Sequence, residues 1–476
     1  MKGETAVENF RDVVRKISEW VVFSVYILLL IGGIMVSAAR SIEYGTEILM
    51  ALGIGYACLK IGKHWNIDNL IKVKWPWILF LTGMAIKVFI VITIRPEMVV
   101  DAYAIFNFCG EILTNGHLME NARYVALFPH LLGYISFLLP FFKAISYAAY
   151  VATALNACLS AISTLIIYFI VVEIFDWRAA IFSSVLWILW PSQGLWNCLT
   201  LSEAFFTTLM LESVFLWIKG IKGLENKKIN VSYWIGTGVL LAFFNAARPF
   251  AAIFFIGFLL TIVFIYISEN NKKWFVALGI ALLSFLVILQ LYKKYEEHML
   301  REEPAGFSWY NVAVGSNEQY GGKWNQEDWD LLSKYANEPE VTAGMAQKKM
   351  IPVVKDHIIH IKHPVNFLIE KIWNFMGCDD QVIGWLKNGG IVFSESQTEI
   401  WRAVLNVFFY LIAIITLPAA VIIHRNHLKM GYFLMVCYIG LFLAYMLVEV
   451  QGRYHYPLGV VQILIAGGGV YKAHGR

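Results

Sequence analysis

The chain has 476 residues, of which 59% are hydrophobic and only 15% are charged, and its mean hydropathy is +0.62. Roughly a quarter of the residues of a soluble globular chain are charged, so this composition excludes an ordinary water-soluble protein. The net charge of +4 is small, and its distribution suggests membrane topology rather than nucleic-acid binding. The sequence therefore predicts an all-α polytopic membrane protein.

Apolar segments that approach the length of a membrane-spanning helix, about 20 residues, recur along the whole chain. We predict about 10–12 transmembrane helices, because two of the segments (46–60 and 232–247) are short enough to be re-entrant. The twelve candidate segments are 20–38, 46–60, 76–94, 147–174, 179–195, 200–218, 232–247, 249–268, 274–292, 403–423, 430–448 and 456–471.

Lysine and arginine predict the orientation, because short cytoplasmic loops carry an excess of both. With the N-terminus in the cytoplasm, the basic residues of alternate loops fall on the cytoplasmic side. These residues are Lys2, Arg11, Arg15, Lys16, Lys60, Lys63, Lys72, Lys74, Arg178, Lys219, Lys222, Lys227, Lys228, Lys272, Lys273, Arg425, Lys429, Lys472 and Arg476. We therefore expect a cell-membrane protein with both termini in the cytoplasm and two long segments, 95–146 and 293–402, outside.

Four regions follow from this pattern. We expect an N-terminal amphipathic segment with two additional transmembrane helices (1–75), a transmembrane core (76–292) that contains the first external loop (95–146), an extracytoplasmic domain (293–402) and C-terminal transmembrane helices (403–476). The extracytoplasmic domain is predicted to be helical from Gln326, over 343–362 and over 365–376.

Two carboxylates, Glu97 and Asp101, follow the third candidate span. They are four residues apart and share one face if the segment is helical. One of them is a candidate general base, or a cation ligand, at the membrane surface; the alternative is a pair of solvated loop charges. Arg123 and His130 come about twenty residues later, in an aromatic and proline-rich segment.

Three further candidates lie at the outer ends of later spans. Arg248, before Pro249, is either a phosphate-binding guanidinium or an arginine that extends from a helix end to the interface. The segment EVQGRYHYPLGVV (449–460) concentrates ionisable groups that are costly at membrane depth and are usually functional, although Glu449 and Arg453 can also form a structural pair. Glu203 is either a site residue or an acid favoured by a helix N-terminus.

No metal site is predicted. His357, His360 and His363 recur at a spacing of three, whereas a helical zinc site needs a spacing of four or additional ligands.

Taken in order, these pieces resemble the GT-C membrane glycosyltransferases. The matching stretches are DAYAIFNFCGEILTNGHL and ARYVALFPHLLGYISFLLPFF in the first external loop, LTLSEAFFTTLMLESVFLW, AARPFAA, EVQGRYHYP and the segment Gly315–Asp328. The resemblance covers roughly residues 76–471. It is nearest to the phospholipid-carrier-dependent members, such as the dolichyl-phosphate-mannose protein mannosyltransferases and the lipid A aminoarabinose transferases.

The resemblance implies a sugar donor on a polyprenyl phosphate, presented from the outer leaflet. Asp101 matches the acidic residue of the family's first loop and is implied as the general base. Many members have two adjacent acids there, whereas this chain has Val100 and Asp101, so a divalent cation is not favoured. The residues expected to bind substrate are Glu97, Tyr103, Arg123, His130, Glu203, Arg248, Glu449, Arg453, Tyr454 and Tyr456.

We therefore expect an inverting glycosyltransferase that moves a sugar from a polyprenyl phosphate to a cell-envelope acceptor: a glycan, a teichoic acid, a lipid or a protein. One base and cations for the departing phosphate suffice for this chemistry. The alternatives are a transporter or flippase of a lipid-linked glycan, which often shows internal repeats, and a membrane scaffold.

Overall fold

The computed structural model describes residues 2–64, 74–226, 228–267 and 272–472, with side chains from Glu8 onwards. Lys72, Lys227 and Arg476, which we predict to be cytoplasmic, lie outside the described residues, as does the side chain of Lys2. The described residues form helices and no strand, so the predicted all-α polytopic membrane fold is confirmed.

Eight helices in the described part of the chain are long and apolar enough to cross a bilayer. They are α1 (Lys2–Arg40, with its apolar part in Glu8–Arg40), α2 (Ile42–His64), α3 (Trp75–Thr93), α7 (Ala149–Ile174), α10 (Glu203–Glu225), α13 (Lys273–Leu300), α20 (Glu395–Arg425) and α21 (Lys429–Leu447).

Four of the twelve predicted spans form shorter helices, chiefly because proline or a polar turn interrupts them. Pro191 separates α8 (Trp177–Leu189) from α9 (Pro191–Trp196), and Arg248–Pro249 separates α11 (Val231–Ala247) from α12 (Ala251–Leu260). A π-helical turn, Thr261–Ile265, continues α12. The last helix, α22 (Tyr456–Ala466), gives way to a 3₁₀ turn at Gly467–Gly469.

The first external loop folds into three helices: α4 (Val100–Asn115), α5 (Ala122–Leu127) and α6 (Leu131–Ala144). The second long segment forms a helical cap domain (residues 301–394). Its helices are α14 (Trp309–Ser316), α15 (Gln326–Ala336), α16 (Ala343–Lys349), α17 (Ile351–Ile359), α18 (Pro364–Met376) and α19 (Gln381–Asn388). The stretch predicted as one helix over 343–362 is two, since Pro352 starts a new helix at Ile351.

The two ends of the bundle are distinct, and α1 connects them. Midway along α1, Glu19 bonds His427 of the α20–α21 loop at 2.6 Å, while Arg40 at the end of α1 bonds Glu370 of the cap domain at 2.9 Å. At about 1.5 Å per residue these two positions are roughly 30 Å apart, close to the thickness of a bilayer's hydrocarbon core. The cap domain therefore lies at the end of the bundle opposite the α20–α21 loop, and the first external loop shares that end, because Arg123 of α5 bonds Glu302 at the start of the cap domain.

Candidate active site

A cavity of about 780 Å³ lies where the first external loop, the cap domain and the ends of the spans meet. Its wall includes six residues that the sequence singles out: Asp101, His130, Arg248, Glu449, Arg453 and Tyr454. Distant parts of the chain thus converge on one chamber at the end of the bundle that carries the cap domain.

Asp101 lies in the first turn of α4 and is bound by Arg453. A guanidinium nitrogen of Arg453 donates to Asp101 Oδ2 at 2.5 Å. The Asp101 side chain is 37% exposed, whereas that of Arg453 is 6% exposed. The Asp101 carboxylate is therefore accessible from the chamber, whereas the Arg453 guanidinium is buried.

Arg453 is held from several sides by the short helical turn Gly452–His455 and its neighbours. Its backbone N–H donates to Gln381 Oε1 at 2.9 Å, and its guanidinium carbon lies 4.8 Å from the centre of the Trp385 ring. Its Nε is buried and has no hydrogen-bond partner among the described residues. An unpaired buried guanidinium N–H is costly, so this donor is available to a ligand.

Arg248 follows the end of α11 as its C-cap residue, and it contacts the same Tyr454 ring as Arg453. Its guanidinium carbon is 5.3 Å from the Tyr454 ring centre, and that of Arg453 is 5.5 Å from the same ring. Arg248 pairs with the buried Glu203 at 3.2 Å, and its Nε likewise has no partner in the described part of the protein. Two guanidinium groups thus flank one aromatic ring in the chamber wall.

A close helix contact brings His130 to this cluster. A Cβ at Gly133 of α6 would collide with the backbone of Ala246 in α11, so only glycine permits this approach. Burial, together with the nearby Arg248 guanidinium, lowers the pKa of His130 to about 3. His130 is therefore a neutral imidazole at pH 7 and not a third cation.

An acidic and an aromatic side chain, Glu449 and Tyr454, lie beside these arginines in the chamber wall. Burial raises the pKa of Glu449, whose Oε1 accepts a hydrogen bond from Gln451 at 2.6 Å, and the Glu449 backbone N–H donates to Asn311 in the cap domain at 2.7 Å. Burial and the Glu449 carboxylate raise the pKa of Tyr454 to about 12, which keeps its hydroxyl protonated.

The remaining predicted site residues lie elsewhere. Arg123 donates to Glu302 and to the carbonyls of Ala336 and Val341, so it fastens α5 to the cap domain. Glu203 lies behind Arg248, only 2% exposed.

Three others point away from the chamber. Glu97 is exposed, and its backbone bonds Gly389. Tyr103 is exposed on another face of α4. Tyr456 is buried with its ring 5.1 Å from that of Trp190. The structure brings neither these three nor Arg123 into the chamber wall.

The sequence analysis missed several lining residues. Tyr124, Phe128, Tyr310 and Trp329 form a cluster of rings with centres 5.4–6.4 Å apart. Lys293, Glu296 and Glu303 line the chamber at the end of α13. The charged run KKYEEH was a visible signal, because it follows a long apolar span, but the aromatic cluster joins segments that no local pattern relates.

No group of three His, Cys, Asp or Glu side chains is placed to hold a metal ion in the part of the chain that the structure describes. His357 and His360 have separate partners, Asp328 at 3.6 Å and Asp356 at 3.1 Å.

No family model and no curated protein matches the chain. Among solved structures it is similar to the archaeal oligosaccharyltransferase AglB from Archaeoglobus fulgidus, in complex with an inhibitory peptide and a dolichol-phosphate. That match has a TM-score of 0.47 and 12% identity, and covers 84% of this chain and 50% of AglB. The chain therefore spans about half the length of AglB.

The chain is also similar to ArnT from Cupriavidus metallidurans. With undecaprenyl phosphate bound, the match has a TM-score of 0.32, 10% identity and coverage of 84% of this chain and 77% of ArnT. The match to the apo form has a TM-score of 0.32 and 11% identity, and it covers 83% of this chain and 77% of ArnT.

Proposed function

We propose that this protein is an inverting glycosyltransferase that moves a sugar from a polyprenyl phosphate to a cell-envelope acceptor, with Asp101 as the general base. The observation that carries the proposal is the single chamber in which Asp101 lies against Arg453, while Arg248 lies across Tyr454. A base and a pair of phosphate-binding groups are the parts that such a displacement requires.

The two arginines are assigned to the donor phosphate. A guanidinium presents several N–H donors in a planar fork that suits phosphate oxygens, and both Nε–H groups are unused in the described protein. As the bond between the anomeric carbon and the phosphate oxygen breaks, negative charge develops on the phosphate, which leaves as polyprenyl phosphate. Because the arginines carry that charge, the proposed mechanism assigns no step to a metal ion.

Asp101 is assigned to the acceptor. Its Oδ2 holds Arg453, and its carboxylate takes the proton of the acceptor hydroxyl as that oxygen bonds to the anomeric carbon. Arg453 contacts the base and faces the proposed phosphate site. The guanidinium of Arg453 therefore sets the distance between the proton acceptor, Asp101, and the phosphate that leaves.

The polyprenyl chain is assigned to the side of the chamber that the spans form. Leu131 and Tyr134 of α6, Ala246 of α11 and Leu289 of α13 line it there. On the membrane side of α13, Leu283 and Leu286 are exposed, as expected of residues that face lipid tails. A lipid-linked donor can thus place its phosphate in the chamber and its tail between helices.

We place the chamber on the outer face of the cell membrane. At the opposite end of the bundle, Lys219 and Lys222 of α10 pair with Glu173, and Arg425 and Lys429 flank the α20–α21 loop. The excess of basic residues in the short loops of that end favours a cytoplasmic location for it.

The test is the Asp101→Asn variant, assayed with purified protein in lipid nanodiscs and a panel of radiolabelled polyprenyl-phosphate sugars. We expect release of polyprenyl phosphate to fall by roughly 10²–10⁴-fold, because the amide keeps the shape of the carboxylate and cannot take a proton. The matched control is Glu97→Gln, which neutralises an exposed carboxylate outside the chamber and should retain activity.

Wild-type protein that leaves every labelled donor intact while moving it between leaflets would identify a flippase instead. Near-normal turnover by Asp101→Asn, with an active wild-type protein, would remove Asp101 from the mechanism and leave the transferase assignment in place.

A further inference from the structure

The corner between α17 and α18 of the cap domain presents an apolar surface with no protein partner in the described residues. This corner patch consists of Ile358, Ile359, Val365, Leu368 and Ile369, and each of these side chains is about half or more exposed. Ile359 is 76% exposed, more than Leu283 on the membrane-facing side of α13 at 65%. A contiguous exposed apolar patch of this kind is typical of an interaction surface.

The other half of α18 lies directly on the spans. The Tyr438 hydroxyl of α21 is 3.8 Å from the Met376 sulfur, and Ser37 of α1 donates to the carbonyl of Gly377 at 2.9 Å. The Trp373 ring packs edge-on against Tyr44 of α2 with centres 4.9 Å apart. The C-terminal end of α18 is thus seated on the ends of three membrane helices.

One helical face runs from the seated half to the exposed half. Val365, Ile369, Ile372 and Met376 follow the spacing of four, three and four residues that places side chains on one side of a helix. Met376 is buried against the bundle, whereas Val365 and Ile369 are exposed. The exposed half of α18 therefore extends beyond the bundle with its apolar face on the side that contacts the spans.

Basic groups border the corner patch. Lys355 and Lys362 are exposed, and neither forms a salt bridge within the described chain. The acids nearby have other partners: Asp356 pairs with His360, and Glu318 accepts the backbone N–H groups of Lys362 and His363. An apolar face bordered by lysines is typical of helices that lie in the headgroup region of an anionic membrane.

We propose that the corner patch is immersed in the headgroup region of the leaflet on which the chamber opens. The occupant is the lipid surface, because the patch continues a face already packed on the spans and because lysines suit anionic headgroups. The bilayer would then hold the cap domain at a fixed height over the chamber. This inference does not depend on the transferase assignment.

The experiment uses the photoreactive amino acid benzoylphenylalanine at position 359, 365 or 368 of the full-length protein. The protein is reconstituted in nanodiscs of phosphatidylcholine and phosphatidylglycerol, irradiated and analysed by intact mass. The matched control carries the same group at Lys334, an exposed position of α15, which packs on α14 and α16.

We expect phospholipid adducts at the three patch positions to exceed those at position 334 by at least about tenfold, because such a face lies roughly 5–10 Å into the headgroup boundary. Adducts with phosphatidylglycerol should outnumber those with phosphatidylcholine. A covalent dimer in place of lipid adducts would show that a second copy covers the patch, and an absence of adducts above the control would show that water covers it; either result overturns the proposal.

Discussion

Two side-chain pairs, His455 with Asp379 and Arg453 with Asp101, share the turn Gly452–His455 and differ in how completely their hydrogen-bonding groups are satisfied. His455 pairs with Asp379, and both side chains are nearly inaccessible at 2% and 3%. Asp379 also accepts hydrogen bonds from Trp190 at 2.8 Å and from Ser192 at 2.7 Å. Both nitrogens of His455 face acceptors, Asp379 Oδ1 and the Phe375 carbonyl, each at 3.0 Å.

The pair of Arg453 and Asp101 has unused hydrogen-bonding capacity and borders an open chamber. Arg453 Nε has no partner among the described residues, and Asp101 is more than a third exposed. A fully satisfied buried network fixes structure, whereas a charged group with a free donor beside a chamber can bind a ligand. Two residues of one turn, separated by Tyr454, therefore serve different purposes: His455 anchors the turn, and Arg453 faces the site.

The Asp379→Ala variant should show the largest effect on stability. Removal of Asp379 leaves the buried side chains of Trp190, Ser192 and His455 without their shared hydrogen-bond partner, and each buried polar group left unsatisfied costs about 1–3 kcal/mol. Thermal unfolding in nanodiscs measures the loss. The control Asp101→Ala should cost much less, because water in the chamber can solvate Arg453. Equal losses in the two variants would contradict the distinction between the pairs.

The Arg453→Lys variant should reduce activity by about 10²-fold, since lysine keeps the charge and loses the planar fork that reaches both the carboxylate and the phosphate. The measurement is kcat/KM for donor turnover, together with the unfolding midpoint. We expect the midpoint to stay near that of the wild type. A variant with full turnover would show that a point charge is sufficient at this position.

Lys371 offers a smaller test, because it is a buried cation with no ion-pair partner in the described chain. It donates to the Gly315 carbonyl, and burial lowers its pKa to about 7. The unfolded chain, with a lysine pKa near 10.4, binds more protons above pH 7, so stability should rise by about 1 kcal/mol between pH 7 and pH 8.

Lys371→Met should flatten that slope when unfolding is followed at several pH values. A slope that persists in the variant would assign it to other groups.

The sequence predicted those features that depend on local pattern. The eight spans follow from long apolar runs, and the cluster at 449–456 follows from ionisable residues between two of them. Four further predicted spans form shorter helices: the break at Arg248–Pro249 was visible as the gap between segments 232–247 and 249–268, whereas the division at Pro191 was not seen, because the apolar run 179–195 continues through it.

The sequence did not show which residues, distant along the chain, form side-chain pairs. Asp101 and Arg453 are 352 residues apart, and Arg123 bonds Glu302 across 179 residues. The neighbouring sequence of a loop arginine does not indicate whether its side chain lines a cavity or forms hydrogen bonds with another domain. For this reason Arg123 and Arg453 could not be distinguished without the fold.

Val100 precedes Asp101 with a φ of +50°, a conformation that a β-branched residue rarely adopts and that costs about 1–3 kcal/mol. Its side chain is 62% exposed, so packing does not repay this cost. Glycine there would relieve the backbone but would let the carboxylate swing more freely. Selection for thermal stability would thus favour glycine at position 100, whereas selection for turnover would favour valine, which restrains the Asp101 carboxylate.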